Sequence, residues 1–194
     1  MATMPSVRST CFKGRPAVVI SNELISATVL CGGGHIALVQ RAGSPLNADA
    51  DFDFGSPLWQ PPWPTCDPSQ AELADPEVFG EGVEGRHLLP HIMGHNLCLD
   101  VFGGHTQGEV DEPVPGALQG PSIKAGMHGE AGACTWHVVG MQQTASGAQF
   151  TMVAHLRRTC LEVQRTFSVT ASTPVVKVNE VTHGLQHTCP RAGI

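Results

Sequence analysis

The sequence predicts an all-β protein built as an antiparallel β-sandwich, and three observations predict it. Apolar and polar residues alternate with a period of two in several short runs, most clearly over 149–157 and 161–169. The 22 glycines and 15 prolines divide the chain into pieces suited to strands joined by turns. No capped segment of about 12 residues or more carries a helical period, and no heptad or longer internal repeat is present. With 194 residues, 41% of them hydrophobic, the chain is sized for one core. The organisation expected is an N-terminal tail over 1–17, a sandwich over 18–182 that carries a long Pro-rich loop at 44–86, and a C-terminal tail over 183–194.

The first strand pair flanks a glycine run. Over 25–30, Ile25, Ala27 and Val29 lie on one side and Ser26, Thr28 and Leu30 on the other; Gly32-Gly33-Gly34 then forms a tight turn into a second strand at 36–40. The segment 44–86 is rich in proline and acids and holds Trp59 and Trp63, the composition of a functional or disordered loop. A strand at 138–142 follows. Next, Phe150, Met152, Ala154 and Leu156 alternate with Thr151, Val153 and His155, and Leu161, Val163, Arg165, Phe167 and Val169 repeat the pattern, which makes 149–157 and 161–169 a hairpin with one buried face. A further strand at 175–181 follows Pro174.

Composition excludes several classes of function. Charged residues make up only 14%, and 17 acids against 11 bases give a net charge of -6, with no general attraction for nucleic acid or acidic lipid. No apolar run reaches the roughly 18 to 20 residues of a membrane span, and residues 1–8 lack the apolar segment of a secretory signal, so a cytoplasmic address is expected. Seven cysteines, widely spread and without a C-x-x-C pair, read as reduced thiols. Among the ten histidines, His87, His91 and His95 fall four apart, but Pro90 and Gly94 interrupt the helix that would align them. No metal or other cofactor is expected.

The segment 126–139, Gly-Met-His-Gly-Glu-Ala-Gly-Ala-Cys-Thr-Trp-His-Val-Val, joins a histidine and a flexible glycine to a tryptophan heading a strand. It resembles the His-Gly…Trp segment of the aldose 1-epimerases and the wider galactose mutarotase-like proteins. In the same order, 29–37 is similar to their early glycine turn, 161–167 to the strand after the hairpin, and 176–181 to the strand that leads to a second histidine. The resemblance spans about 18–181 and implies an antiparallel supersandwich, incomplete at the C-terminus, with a monosaccharide or sugar derivative as partner. It also implies roles. His128 matches the histidine that contacts the sugar; the acid histidine would lie just past Val181, where His183 and His187 stand. The family's glutamate base has no counterpart by position, and Glu130 and Glu180 stand near the motifs without matching it. Anomer interconversion needs a base at the anomeric hydroxyl and an acid at the ring oxygen, so the isolated chain is expected to bind sugar with little or no mutarotation.

Other residues admit two readings each. Trp136 is either a sugar platform or a core residue; Trp59 and Trp63 either stack on a sugar or pin their loop. His95 and Asn96 either point into a groove or form a buried hydrogen-bonded pair. Arg165 sits on the apolar side of its strand, where it contacts a sugar or needs an acidic partner. The leading function is thus carbohydrate binding of the aldose 1-epimerase type. The rivals are a non-catalytic binding or structural β-sandwich and a histidine-rich metal protein. Missing C-terminal strands would leave unpaired sheet edges and invite self-association.

Overall fold

Eight strands run through the described residues of the structure, a computed structural model that describes 4–42, 56–80, 88–99, 128–157 and 159–185. Four form one antiparallel meander, β1 (Ser6–Phe12), β2 (Arg15–Ser21), β3 (Ile25–Leu30) and β4 (Ile36–Arg41). The other four form a second, β5 (His137–Gln143), β6 (Gly147–Leu156), β7 (Leu161–Thr170) and β8 (Lys177–Gly184). Among the described residues helix is confined to short turns: 3₁₀ at Pro68–Leu73, kinked at Gln70, and at Ala131–Ala133, and an α-turn at Pro76–Phe79 whose Asp75 cap accepts from the Glu77 amide. Among the described residues no helix is long and apolar enough to cross a membrane.

The two sheets pack face to face. Val18, Ile20, Ala27 and Val29 of the first meet Phe150, Met152, Ala154, Leu156, Val163 and Phe167 of the second in one apolar cluster. Phe150 and Phe167 are directly opposed across β6 and β7, with rings stacked at 4.7 Å. The sheets differ in coverage. On the first sheet's other face, Phe12, Ala17, Leu30, Ala37 and Leu38 pack with Met93 from the 88–99 segment, so β2 and β3 are buried on both sides. β2 accordingly reads as a near-continuous apolar run, Pro-Ala-Val-Val-Ile, whereas β6 and β7 alternate because one face meets the core and the other is wetter.

The expected antiparallel sandwich is the observed one, with differences at both ends. The stretch read as a tail over 1–17 contains β1 and the start of β2. β1 is an edge strand of mostly polar residues, Ser-Val-Arg-Ser-Thr-Cys-Phe, and has little hydrophobic alternation to declare it. Lys13 and Gly14, with φ of 49° and 76°, form its two-residue turn into β2. The last strand lies at Lys177–Gly184 rather than 175–181, which puts His183 in the sheet and not in a tail. His87 and His187 lie outside the described residues. Cys11, Cys31, Cys66, Cys98 and Cys134 are free, as expected, but Cys160 is disulfide-bonded, which corrects the reading of uniformly reduced thiols.

Candidate functional site

Three segments singled out in the sequence meet at the β3–β4 turn. The glycine run is the centre: Gly32 bridges to Thr135, the Gly33 amide donates to the Cys134 carbonyl at 2.7 Å, and the Trp136 amide donates to the Cys31 carbonyl at 2.7 Å. On the other flank Ile36 and His95 exchange backbone hydrogen bonds. The His35 ring, fully buried, bonds through Nε2 to the Gly132 carbonyl at 3.0 Å. Burial, reinforced by the charge of Arg15, holds its pKa down to about 3 against the hydrogen bond it makes with the backbone of Gly132, so the ring is neutral.

Two glycines are required by close approach. Gly34 sits over the Trp136 indole, where a Cβ would come within 2.7 Å of the ring, and its φ is 61°. Gly132 leaves space for Asn96, whose Oδ1 would lie 2.4 Å from a Cβ there.

His128 and Gly129 are both left-handed, with φ of 72° and 73°. Such a backbone is natural for glycine and strained for histidine, and it is the kind of local strain that surrounding structure holds at functional sites. The half-buried His128 ring places Nδ1 3.0 Å from the Cys98 Sγ. Burial raises the Cys98 thiol pKa, so the sulfur stays protonated. Two residues before Cys98, Asn96 has both side-chain polar atoms buried and without a hydrogen-bond partner among the described residues. Cys98 carried no signal in the sequence beyond its presence; its role emerges only from the turn that brings 128 back to it.

The remaining expected site residues separate into surface and core. Trp59 is 52% exposed, and its carbonyl accepts from the Gly94 amide at 2.9 Å, which ties it to the exposed His95 and its neighbour Asn96. Trp63 pins the loop: its Nε1 donates to the Leu89 carbonyl at 2.9 Å, and its ring meets Trp59 edge-on at 5.7 Å. Trp136 and Arg165, each 1% exposed, are core residues, which corrects their expected place on a sugar-binding face. The Trp136 Nε1 donates to the Ala131 carbonyl at 3.0 Å, and its ring lies beneath Arg165, whose guanidinium carbon is 5.7 Å from the ring centre. Arg165 donates to the Gly34 carbonyl at 2.6 Å and pairs with Glu180 at 2.7 Å. The chain hides both rings and charge because the glycine turn of one sheet closes directly over the other.

This architecture has a counterpart among solved structures. A crystal structure of YeaD from Salmonella typhimurium, described as a candidate mutarotase, matches with a TM-score of 0.51 and 13% sequence identity, over 93% of this chain and 47% of that one. The fold is mutarotase-like. The chain spans about half the length of the solved chain it matches. No protein-family model and no curated protein matches the sequence. The mutarotase-like fold described here consists of two meanders joined at the glycine turn, where Gly132 packs on Asn96 and Ile36 bonds to His95, with His128 set against Cys98 and Trp59 tied to Gly94.

The expected acids and bases are not assembled. His183 lies on β8, directly across from Glu162, on the face turned away from Glu180 and the core. Glu180 is engaged by Arg165. Glu130 adjoins the His128–Gly129 turn, and its charge adds to burial in pushing the Cys134 thiol up to about 12. Among the described residues no three His, Cys, Asp or Glu side chains are grouped to hold a metal ion.

Proposed function

We propose that this protein binds a monosaccharide or sugar derivative at the His128 turn, as a carbohydrate-binding member of the aldose 1-epimerase type. The observation that carries the reading is the strained His128–Gly129 turn, set against Cys98, in a fold of mutarotase type. A protonated Cys98 thiol donates to Nδ1 and leaves the imidazole proton on Nε2. On this reading His128 is the hydrogen-bonding contact for a sugar oxygen, while Asn96, its amide buried, lies against Gly132. Trp59 replaces Trp136 as the aromatic surface for a sugar ring.

Mutarotation needs a base to take the anomeric proton while an acid delivers one to the ring oxygen. His128 with its proton on Nε2 fits the contact or the acid, and among the described residues Glu180 is held by Arg165. General acid and base catalysis each supply on the order of 10² to 10⁴ in rate, so binding without appreciable mutarotation is the expected behaviour of this chain.

Titration with glucose and galactose, read by chemical shifts and Tm, tests the reading. Binding by the native protein that is lost in His128→Ala and weakened in Trp59→Ala supports it. No binding by the native protein, or equal binding by His128→Ala, overturns it. Polarimetry of fresh α-glucose then separates binding from catalysis.

A further inference from the structure

The second sheet ends on two unlike edges. β5 is interrupted by a bulge between Val138 and Gly140, the device by which edge strands are turned away from partners. β8 has no such bulge. It runs with β7 through eight consecutive pairs without a break, contains no proline, and has its single lysine at the first position. All eight residues are exposed, Val178 and Val181 by 38% and 37%, and among the described residues no strand pairs with its far side. Such a strand presents a row of unmatched backbone donors and acceptors, with one valine on each face.

We infer that this edge binds a second copy of the chain, β8 against β8 in antiparallel register centred on Val181, to give one continuous eight-stranded sheet across a twofold axis. The twofold requires one residue to lie opposite itself, and the charges exclude Glu180. Centring on Glu180 would set two carboxylates face to face, and Glu180 is already committed to the buried Arg165 at 2.7 Å. Centring on Val181 sets Val181 against Val181, Asn179 against His183, Glu180 against Thr182 and Val178 against Gly184. No like charges are opposed, an amide meets an imidazole, and the β-branched pair lies on the axis, where cross-strand contacts of this kind stabilise pairing. The self-complementarity of the strand is what favours a second copy over an unrelated one.

Sedimentation across a concentration series gives the first test, with a reversible monomer–dimer equilibrium expected. Val181→Lys places two ammonium groups opposite each other at an exposed position, and should raise the dimer dissociation constant about 10-fold or more while the far-ultraviolet spectrum stays native. The register is tested separately by oxidation of cysteine variants, with bonds mapped by mass spectrometry. Val181→Cys should cross-link to its own copy, and Asn179→Cys should do so only when combined with His183→Cys. A chain that stays monomeric at its highest soluble concentration overturns the proposal, and so does a dimer indifferent to Val181→Lys. Self-linking by Asn179→Cys in place of Val181→Cys overturns the register.

Discussion

Arg15, Thr28, His35 and Gln40 are buried polar side chains of the first sheet and its turns, and Asn22, Asp67 and His91 lie in the segments connected to it or packed on it. Among the described residues the second sheet buries Arg165 alone. The difference follows from coverage. A sheet enclosed on both faces must satisfy its polar groups from within. Arg15 does so through the carbonyls of His91 and Gly32 and the Thr65 hydroxyl, and burial lowers its pKa to about 10 although the nearby Asp67 carboxylate opposes the shift. Asp67 in turn accepts from the amide and hydroxyl of Ser69. Asn22 reaches across the sandwich to the carbonyls of Thr170 and Thr173. The second sheet, open on one face, buries fewer polar groups and keeps an edge strand exposed.

The largest effect that would break this comparison is at its point of contact. Trp136→Ala empties the space beneath Gly34 and Arg165 and should cost about 3–5 kcal/mol, whereas Trp59→Ala, at a half-exposed ring, should cost under about 1 kcal/mol. Urea unfolding of the two variants checks this; equal losses would mean that Trp136 is not the core residue its burial makes it.

His35 gives the next largest effect, and its sign is fixed by a folded pKa of about 3 against an ordinary 6.5. Above 6.5 both states are neutral and the contribution to stability is whole. As pH falls from 6.5 toward 3 the unfolded chain takes up a proton that the folded one refuses, and stability drops by up to about 1.4 kcal/mol per unit from this group. Urea midpoints at pH 7 and pH 5 should differ in the native protein, and His35→Gln should remove most of that difference. An undiminished difference would place the acid sensitivity elsewhere. The smallest effect sharpens the exception in the second sheet: Glu180→Gln leaves the Arg165 charge with the Gly34 carbonyl and aromatic faces only, and should lower stability by about 1–2 kcal/mol, since Glu180 itself is partly exposed.

Coverage also governs how much of the molecule was legible in the sequence. Strands with one wet face announced themselves, and 149–157 and 161–169 correspond to β6 and β7 within a residue or two. β1 did not, because its polar composition is that of a sheet edge. Trp136 at the head of a strand looked like a binding surface because sequence does not show what covers a ring; the cover is Gly34, more than a hundred residues away in the chain, together with Arg165. Arg165 on an apolar face correctly demanded a partner, and alternation across the next strand supplied Glu180. The contacts of Arg15 and His91 had no local signature, since each bonds to backbone groups of distant loops, and the pairing of Cys98 with His128 was hidden for the same reason.

Every strand pairs with its neighbour in sequence, and the first sheet bonds to the second segment through the turn at Gly32–His35. This has a consequence for the order of folding. Each meander closes only short loops, which is entropically mild and fast, while contacts spanning more than a hundred residues, Gly34 to Trp136, Gly34 to Arg165 and Asn22 to Thr170, form together when the sheets dock. The cost of long-range closure is thus concentrated in one late event, so the glycine turn that shapes the candidate site is also the seam at which the chain becomes a single cooperative unit.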